Sequence, residues 1–183
     1  MGKGIPAAML MILTRGAFRS ASENTRNPGE ALSAINKALY EDLRTLKSFV
    51  TLFCADWDPK TGVLTYANAG HHLPYCIDGK MKTIKELTKV SGVMIGGLPK
   101  QEYKEASCHL EDDDLVFFYT DGIIEAKNKN GEQYNKKRLV EILIKNVDMN
   151  VKKIELAIIN SIQYFTENSE QRDDITMVLL KKQ

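Results

Sequence analysis

The sequence contains little that would support a disulfide framework or a transition-metal site. Its 183 residues include three cysteines and three histidines. The cysteines are far apart, and no pair has metal-ligand or redox spacing. Each cysteine lies in an apolar segment, which predicts small buried hydrophobic side chains. The histidines do not form an HExxH pattern, so a zinc site is not expected.

An excess of one charge and a long apolar run are also absent. The 25 basic and 24 acidic residues give a formal net charge of +1. No long-range field therefore favours nucleic acid or an anionic membrane as a partner. The apolar stretch 5–13 is too short to span a bilayer, and it lacks the flanks and cleavage site of a signal peptide. We expect a cytoplasmic protein that binds neither nucleic acid nor membrane.

What is present is typical of a globular domain. The hydrophobic fraction is 43% and the charged fraction 27%, and the length favours one domain spanning 1–183. Two helical segments come first, several short strands separated by turn residues follow, and two amphipathic helices and a final strand close the chain. This order predicts an α+β domain with helices packed on antiparallel sheet.

The two N-terminal helices differ in how clearly they are marked. The first, residues 5–24, is apolar on nearly every side at its start, so it is expected to be buried against other elements. The second has a clear beginning at "NPGEAL". Asn27 is a suitable cap, Pro28 suits the first helical position, and Glu30 stands where a capping-box carboxylate belongs.

Acidic residues flank two of the apolar strands. Asp121 follows "VFFYT", and Asp173 and Asp174 precede "ITMVLL". In antiparallel neighbours the end of one strand lies beside the start of the other, so these carboxylates would meet at one sheet edge. Clustered carboxylates repel one another unless a cation neutralises them, and oxygen ligands suit Mg²⁺ or Mn²⁺. Taken alone, the same residues are more typical of turns, because Asp-Gly and Asp-Asp are common where strands end.

Two glycines and a lysine stand just before the first helix. Gly2, Lys3 and Gly4 could bring backbone amides to an anion, because helix starts attract phosphate. The order of a P-loop is absent. By itself this segment is more typical of a flexible chain start than of a binding site.

A polar loop interrupts the strands at "YANAGHHLPY". Asn68 and His71 offer polar edges, and Gly70 offers conformational freedom. These residues suit either a tight turn or the wall of a site. Without other information, a turn is the simpler interpretation.

Five motifs taken together resemble one family. "GKGIPAAM", "NAGHHLP", "YTDGIIEA", "GEQYNKKRL" and "RDDIT" occur in the order typical of bacterial SpoIIE-like serine/threonine phosphatases. These are a branch of the metal-dependent PPM, or protein phosphatase 2C (PP2C), superfamily. "SGVMIGGLP" is similar to the glycine-containing segment of the same family. The resemblance implies a PP2C-like β-sandwich of two antiparallel sheets flanked by helices, with a centre of two Mn²⁺ or Mg²⁺ ions.

The resemblance also implies site residues and a reaction. Asp121 matches the metal-binding aspartate of the "DG" motif, and Asp173 matches that of the last motif. Asp174 and Gly122 are weaker candidates for the metal site or its surroundings, while the loop at 68–71 and residues 2–4 would line it. The implied reaction is hydrolysis of protein phosphoserine or phosphothreonine by a metal-bridged water, without a phospho-enzyme.

The beginning of the chain departs from the family pattern. In the family an aspartate that bridges both metals precedes "GKG" by a few residues, whereas here Met1 stands directly before Gly2. On this pattern we expect a domain that lacks its first strands, binds metal weakly or not at all, and self-associates through an exposed sheet edge. Asn135 also replaces a usual glycine, and Asn tolerates the left-handed conformation that such a turn needs.

The resemblance further implies partners. In this branch the substrate is typically a phosphorylated antagonist of an anti-sigma factor, and an upstream sensor or receiver domain controls the phosphatase. The alternative is a non-catalytic phosphatase-fold domain that binds a signalling partner without hydrolysis. Asp121 and Asp173 favour descent from an active enzyme.

Overall fold

A computed structural model describes residues 4–167 and 174–183 of the chain. This part contains five helices and seven strands. In chain order they are α1 (Ile5–Asn24), α2 (Pro28–Thr45), β1 (Leu52–Asp58), β2 (Val63–Ala69), β3 (Tyr75–Ile77), β4 (Ile84–Glu86), β5 (Ala106–His109), β6 (Leu115–Tyr119), α3 (Asp121–Ile124), α4 (Asn135–Asn146), α5 (Val151–Thr166) and β7 (Met177–Lys181). None of these helices is long and apolar enough to cross a membrane.

The strands form two antiparallel sheets, as the family resemblance implied. The first has the order β1-β2-β5 and the second has the order β4-β3-β6-β7. Each sheet belongs to one of two compact units, residues 1–71 with 88–109 and residues 72–87 with 110–183. Strands β5 and β6 flank the acidic turn at 111–114 but lie in different sheets, so this turn does not close a hairpin. Self-association through a sheet edge stays a prediction. Strand β1 is one edge strand of the first sheet.

In the first unit, helix α2 begins as predicted. Oδ1 of Asn27 accepts a hydrogen bond from the amide of Glu30 at 2.9 Å, and Pro28 is the first helical residue. The carboxylate of Glu30 reaches back to the amide of Arg26 at 3.0 Å. The buried stripe of α2 then packs on the first sheet, and its members include Ala31, Leu32, Ile35, Leu39 and Leu43.

Helix α1 is far more exposed than its composition predicts. Its buried positions are Leu10, Thr14 and Ala21, which lie at helical spacing on the side that packs against α2. By contrast, Ile5 is 78% exposed and Ile12 is 64% exposed. The expectation that the start of α1 is buried against other elements is therefore wrong for most of residues 5–13. One neighbouring helix covers only one stripe of a helix surface.

In the second unit, β6 is an interior strand between β3 and β7. Its side chains at Leu115, Val116 and Phe117 are fully buried. Helices α4 and α5 contribute a second set of buried residues to the same core cluster: Leu139, Leu143, Ile154, Ile158 and Ile162. This packing gives β6 a rigid position, and β6 leads directly to Asp121.

The cysteines are buried or half-buried, in line with the sequence. Cys54 and Cys76 are buried, Cys108 is half-buried, and none of the three forms a disulfide among the described residues. Burial is the main cause that raises the pKa of Cys54 to about 11, and the nearby carboxylates of Asp56 and Glu105 add to it. At neutral pH this thiol is protonated and acts as a small hydrophobic side chain.

Asn135 preserves the turn in which the family usually has glycine. Its φ is 63°, in the left-handed region. Its Oδ1 accepts hydrogen bonds from the amides of Lys137 at 3.0 Å and Arg138 at 3.3 Å. The prediction that asparagine maintains this turn is confirmed, and the side chain also caps the first turn of α4.

Replacing Asn135 by alanine is expected to destabilise the protein by about 1–2 kcal/mol, because a cap is lost at a left-handed position. Asn135→Gly should cost only a few tenths of a kcal/mol, about the difference measured for glycine caps. Urea unfolding of both variants measures the two effects. Equal stability of the alanine and glycine variants would contradict this account of the turn.

Candidate metal centre

An aromatic stack holds the last residue of β6. The ring of Tyr119 stacks on His72, Tyr75 and Phe117, with centroid distances of 5.9, 5.7 and 5.6 Å. Burial raises the pKa of Tyr119, against smaller lowering effects of Lys136 and Tyr75. The Tyr75 hydroxyl is close enough to affect the pKa of Tyr119. Oη of Tyr119 is nevertheless buried without a hydrogen-bond partner in the described part of the chain. These contacts fix the end of β6.

Beyond Tyr119 the chain turns into the single-turn helix α3. Asp121 is its first residue, and the amide of Glu125 donates to the Asp121 carbonyl at 2.9 Å. Asp121 therefore begins a helix, whereas the sequence placed it at the end of a strand. Its side chain is exposed, and its carboxylate has no ion pair or hydrogen bond among residues 4–167 and 174–183. Glu125 is exposed and is the C-terminal capping residue of α3.

Asp174 lies against Gly122. Strands β6 and β7 are antiparallel with Tyr119 opposite Met177, so the segment before β7 passes the segment after β6. A Cβ built at Gly122 would overlap the carbonyl oxygen of Asp174. The backbone of Asp174 therefore lies directly against Gly122. A place for either residue at a metal site stays a prediction. The two acidic segments do converge.

Asn68, Gly70 and His71 form a local cluster within the first unit. The Asn68 amide donates from Nδ2 to the His71 carbonyl at 3.0 Å, and its Oδ1 accepts from the His71 amide at 2.7 Å. Gly70 has φ 68°, and Nδ1 of His71 lies 3.1 Å from Oγ1 of Thr51. The buried Asn68 side chain closes the turn, so the turn is confirmed. A role in lining the site stays a prediction.

The remaining candidates are described only in part. Gly4 precedes α1 with φ 83°, and its carbonyl accepts the Ala8 amide at 3.1 Å. Gly2, Lys3 and Asp173 lie outside the described residues. The assignments of these residues to the site therefore stay predictions.

The family of the chain follows from its whole length. A model of the family described as "Stage II sporulation protein E (SpoIIE)" matches residues 1–183. The chain belongs to the SpoIIE family. It is 27% identical over 185 residues to the phosphoserine phosphatase RsbU of Bacillus subtilis (strain 168), covering 100% of this chain and 53% of RsbU. The chain thus spans about half the length of that relative.

Solved structures show that this SpoIIE-family chain has a PP2C-like fold. The SiaA-PP2C domain of Pseudomonas aeruginosa matches with a TM-score of 0.85 and 23% identity, over 98% of this chain and 72% of that one. The PP2C phosphatase domain of SpoIIE from Bacillus subtilis, solved with a fragment of its regulatory domain, matches with a TM-score of 0.76 and 18% identity, over 99% of this chain and 52% of that one. The predicted α+β, PP2C-like fold class is confirmed.

The donor set suits the hard cations expected of the SpoIIE family. Asp121 offers carboxylate oxygens at an exposed position without a cationic partner among the described residues. Oxygen donors match Mg²⁺ and Mn²⁺. Within the same residues, no group of three His, Cys, Asp or Glu side chains is placed to hold one metal ion. The described residues therefore fit one part of such a centre.

The sequence interpretation missed Thr120. Its backbone amide donates to the Thr176 carbonyl at 3.1 Å, and its Oγ1 accepts from the Thr176 amide, also at 3.1 Å. A threonine directly before "DGII" is a signal for a helix start, because hydroxyl residues favour the capping position. That signal would have predicted α3.

Proposed function

We propose that the chain is a metal-dependent protein serine/threonine phosphatase domain that hydrolyses phosphoserine or phosphothreonine on a signalling protein. The observation that carries the proposal is the exposed Asp121 at the start of α3, just after the packed strand β6, with the backbone of Asp174 against the adjacent Gly122. The phosphoserine phosphatase RsbU, to which the whole chain is similar, supports this reaction class.

In this proposal Asp121 and Asp173 are metal ligands, and Asp174 stands beside them. Bound Mn²⁺ or Mg²⁺ ions supply an activated water and neutralise the phosphoryl oxygens. The chain's own contribution is positional, since the packed β6 and the short α3 hold the Asp121 carboxylate at a fixed place. The chemistry requires no nucleophilic side chain.

The proposed substrate is a phosphorylated protein of the anti-sigma-factor-antagonist type, under the control of an upstream sensor or receiver domain. The support is the family resemblance together with the similarity to RsbU over the full length of this chain. The whole proteins are longer than this chain, so substrate and control are proposals for the domain in its larger context.

A single-turnover assay tests the proposed reaction. The 183-residue chain, in excess over a phosphoserine peptide, should release phosphate only when Mn²⁺ or Mg²⁺ is present. Release should stop on chelation with EDTA and return when metal is restored.

Two outcomes would contradict the proposal. Phosphate release that continues after chelation would exclude metal dependence. Binding of a phosphorylated partner without hydrolysis at any metal concentration would favour the non-catalytic interaction domain instead.

A further inference from the structure

The end of β6 contains a hydrogen-bond substitution. Tyr119 and Met177 are the last paired strand residues, and the next pair across the ladder is Thr120 and Thr176. The Thr120 amide donates to the Thr176 carbonyl at 3.1 Å. In a regular antiparallel ladder the two residues of such a pair exchange both bonds, so the Thr176 amide would donate to the Thr120 carbonyl.

That carbonyl has a different partner. The Ile123 amide donates to it at 3.2 Å, which closes the first turn of α3. The Thr176 amide donates instead to Oγ1 of Thr120 at 3.1 Å. As a donor, the Thr120 hydroxyl lies 3.4 Å from the carbonyl oxygen of Asp174 and 3.5 Å from the carbonyl oxygen of Thr176. The side chain therefore takes over the ladder bond that the backbone carbonyl gives up.

This substitution lets one strand become a helix without releasing its neighbour. Thr120 occupies the N-cap position of α3, yet its hydroxyl makes no capping bond to the helix. It is directed across to the segment 174–176. Two residues contact this segment, and they are the sequence neighbours of Asp121. Thr120 contacts it through its hydroxyl, and Gly122 contacts it through its backbone.

We propose that Thr120 is a positioning residue that holds the Asp174 segment beside Asp121. The consequence for metal binding rests on the proposed function, because it requires these carboxylates to lie at the metal centre. The effect of Thr120 on the position of the backbone at 174–176 does not depend on the proposed function. Thr120 is half-buried and touches no reacting group, so its effect acts through the placement of its neighbours.

Three variants separate this role from a general loss of stability. Thr120→Val keeps the shape and removes the hydroxyl, while Thr120→Ser keeps the hydroxyl and removes the methyl group. Thr176→Val is a matched control, because Thr176 takes part in the pair through its backbone N–H and C=O. The two valine variants conserve size and β-branching, so they are matched in strand propensity.

The first readout is amide hydrogen exchange at position 176 in the metal-free chain, followed by NMR and expressed relative to the intrinsic rate of the residue there. Thr120→Val should accelerate exchange at least about fivefold, which corresponds to the loss of one ordinary hydrogen bond. Thr120→Ser and Thr176→Val should exchange as the unmodified chain does. Unchanged exchange in Thr120→Val, or equal acceleration in all three variants, would overturn the proposal.

The second readout is the Mn²⁺ dissociation constant, measured by electron paramagnetic resonance. Thr120→Val should weaken Mn²⁺ binding by about 10- to 100-fold, the usual cost of losing a group that orients a ligand, and Thr120→Ser should restore it. If the unmodified chain shows no saturable Mn²⁺ binding, the proposed metal centre fails and the exchange measurement alone decides the role of Thr120. If exchange responds but Mn²⁺ affinity does not, the hydroxyl is structural and the positioning role is overturned.

Discussion

Replacement of Asp121 by asparagine is expected to weaken Mn²⁺ binding by more than about 100-fold, since even groups that only orient a ligand contribute about 10- to 100-fold. The substitution keeps the size and removes the negative charge. Metal-dependent phosphate release should fall by at least the same factor. The Asp121 side chain is exposed and has no polar partner among the described residues, so the free energy of unfolding should change by less than about 0.5 kcal/mol.

The matched control for this substitution is Asp56→Asn. Asp56 is an exposed acidic residue on the edge strand β1, and it also has no ion pair in the described part of the chain. Its substitution removes the same charge and should leave Mn²⁺ affinity and phosphate release unchanged. Isothermal titration with Mn²⁺ distinguishes the two variants. Equal affinities in Asp121→Asn and the unmodified chain would exclude Asp121 as a ligand.

Local signals in the sequence predicted the parts of the fold that depend on neighbouring residues. The start of α2 follows from Asn27 and Glu30, whose side chains bond within the first helical turn. The β1–β2 hairpin follows from the turn at 58–62, where Gly62 has φ 68°. In each case the interaction lies within a few residues, so the amino-acid types at one place are sufficient.

Features that depend on distant residues were not predictable in the same way. The exposure of α1 depends on how many elements cover it, and the apolar pattern of the helix does not contain that information. Similarly, the turn at 111–114 has the composition of a hairpin, although β5 pairs with β2 and β6 pairs with β3 and β7. Turn chemistry determines where a strand ends, and the choice of partner depends on the rest of the sheet.

The candidate centre combines both kinds of information. The chemistry of clustered carboxylates made Asp121 and Asp173 candidates for a cation site, and the resemblance to the SpoIIE family favoured that interpretation over turns. The contact between Gly122 and Asp174 joins positions that are far apart in the sequence, and only the structure shows it. The glycine is required at this position because two backbone segments approach each other closely there.

Replacement of Gly122 by alanine is therefore expected to displace the Asp174 segment and to destabilise the protein by about 1–3 kcal/mol, the usual cost of overpacking. The φ of Gly122 is not in the left-handed region, so the backbone conformation itself accepts alanine. The cost arises because a Cβ would overlap the Asp174 carbonyl oxygen, a backbone atom that cannot rotate away. Mn²⁺ affinity should fall by about tenfold or more, because Asp121 and the neighbouring segment would no longer keep their relative placement.

Gly16→Ala provides the opposite case. Gly16 lies within α1, and a Cβ built there meets no atom within 4 Å. Alanine has the higher helix propensity, so this variant should be more stable than the unmodified chain by up to about 1 kcal/mol, with unchanged Mn²⁺ affinity. The two glycine-to-alanine substitutions should thus shift the thermal unfolding midpoint in opposite directions. A stabilising effect of Gly122→Ala would mean that the Asp174 segment does not press on Gly122 in solution, and the proposed placement of Asp121 beside it would fail.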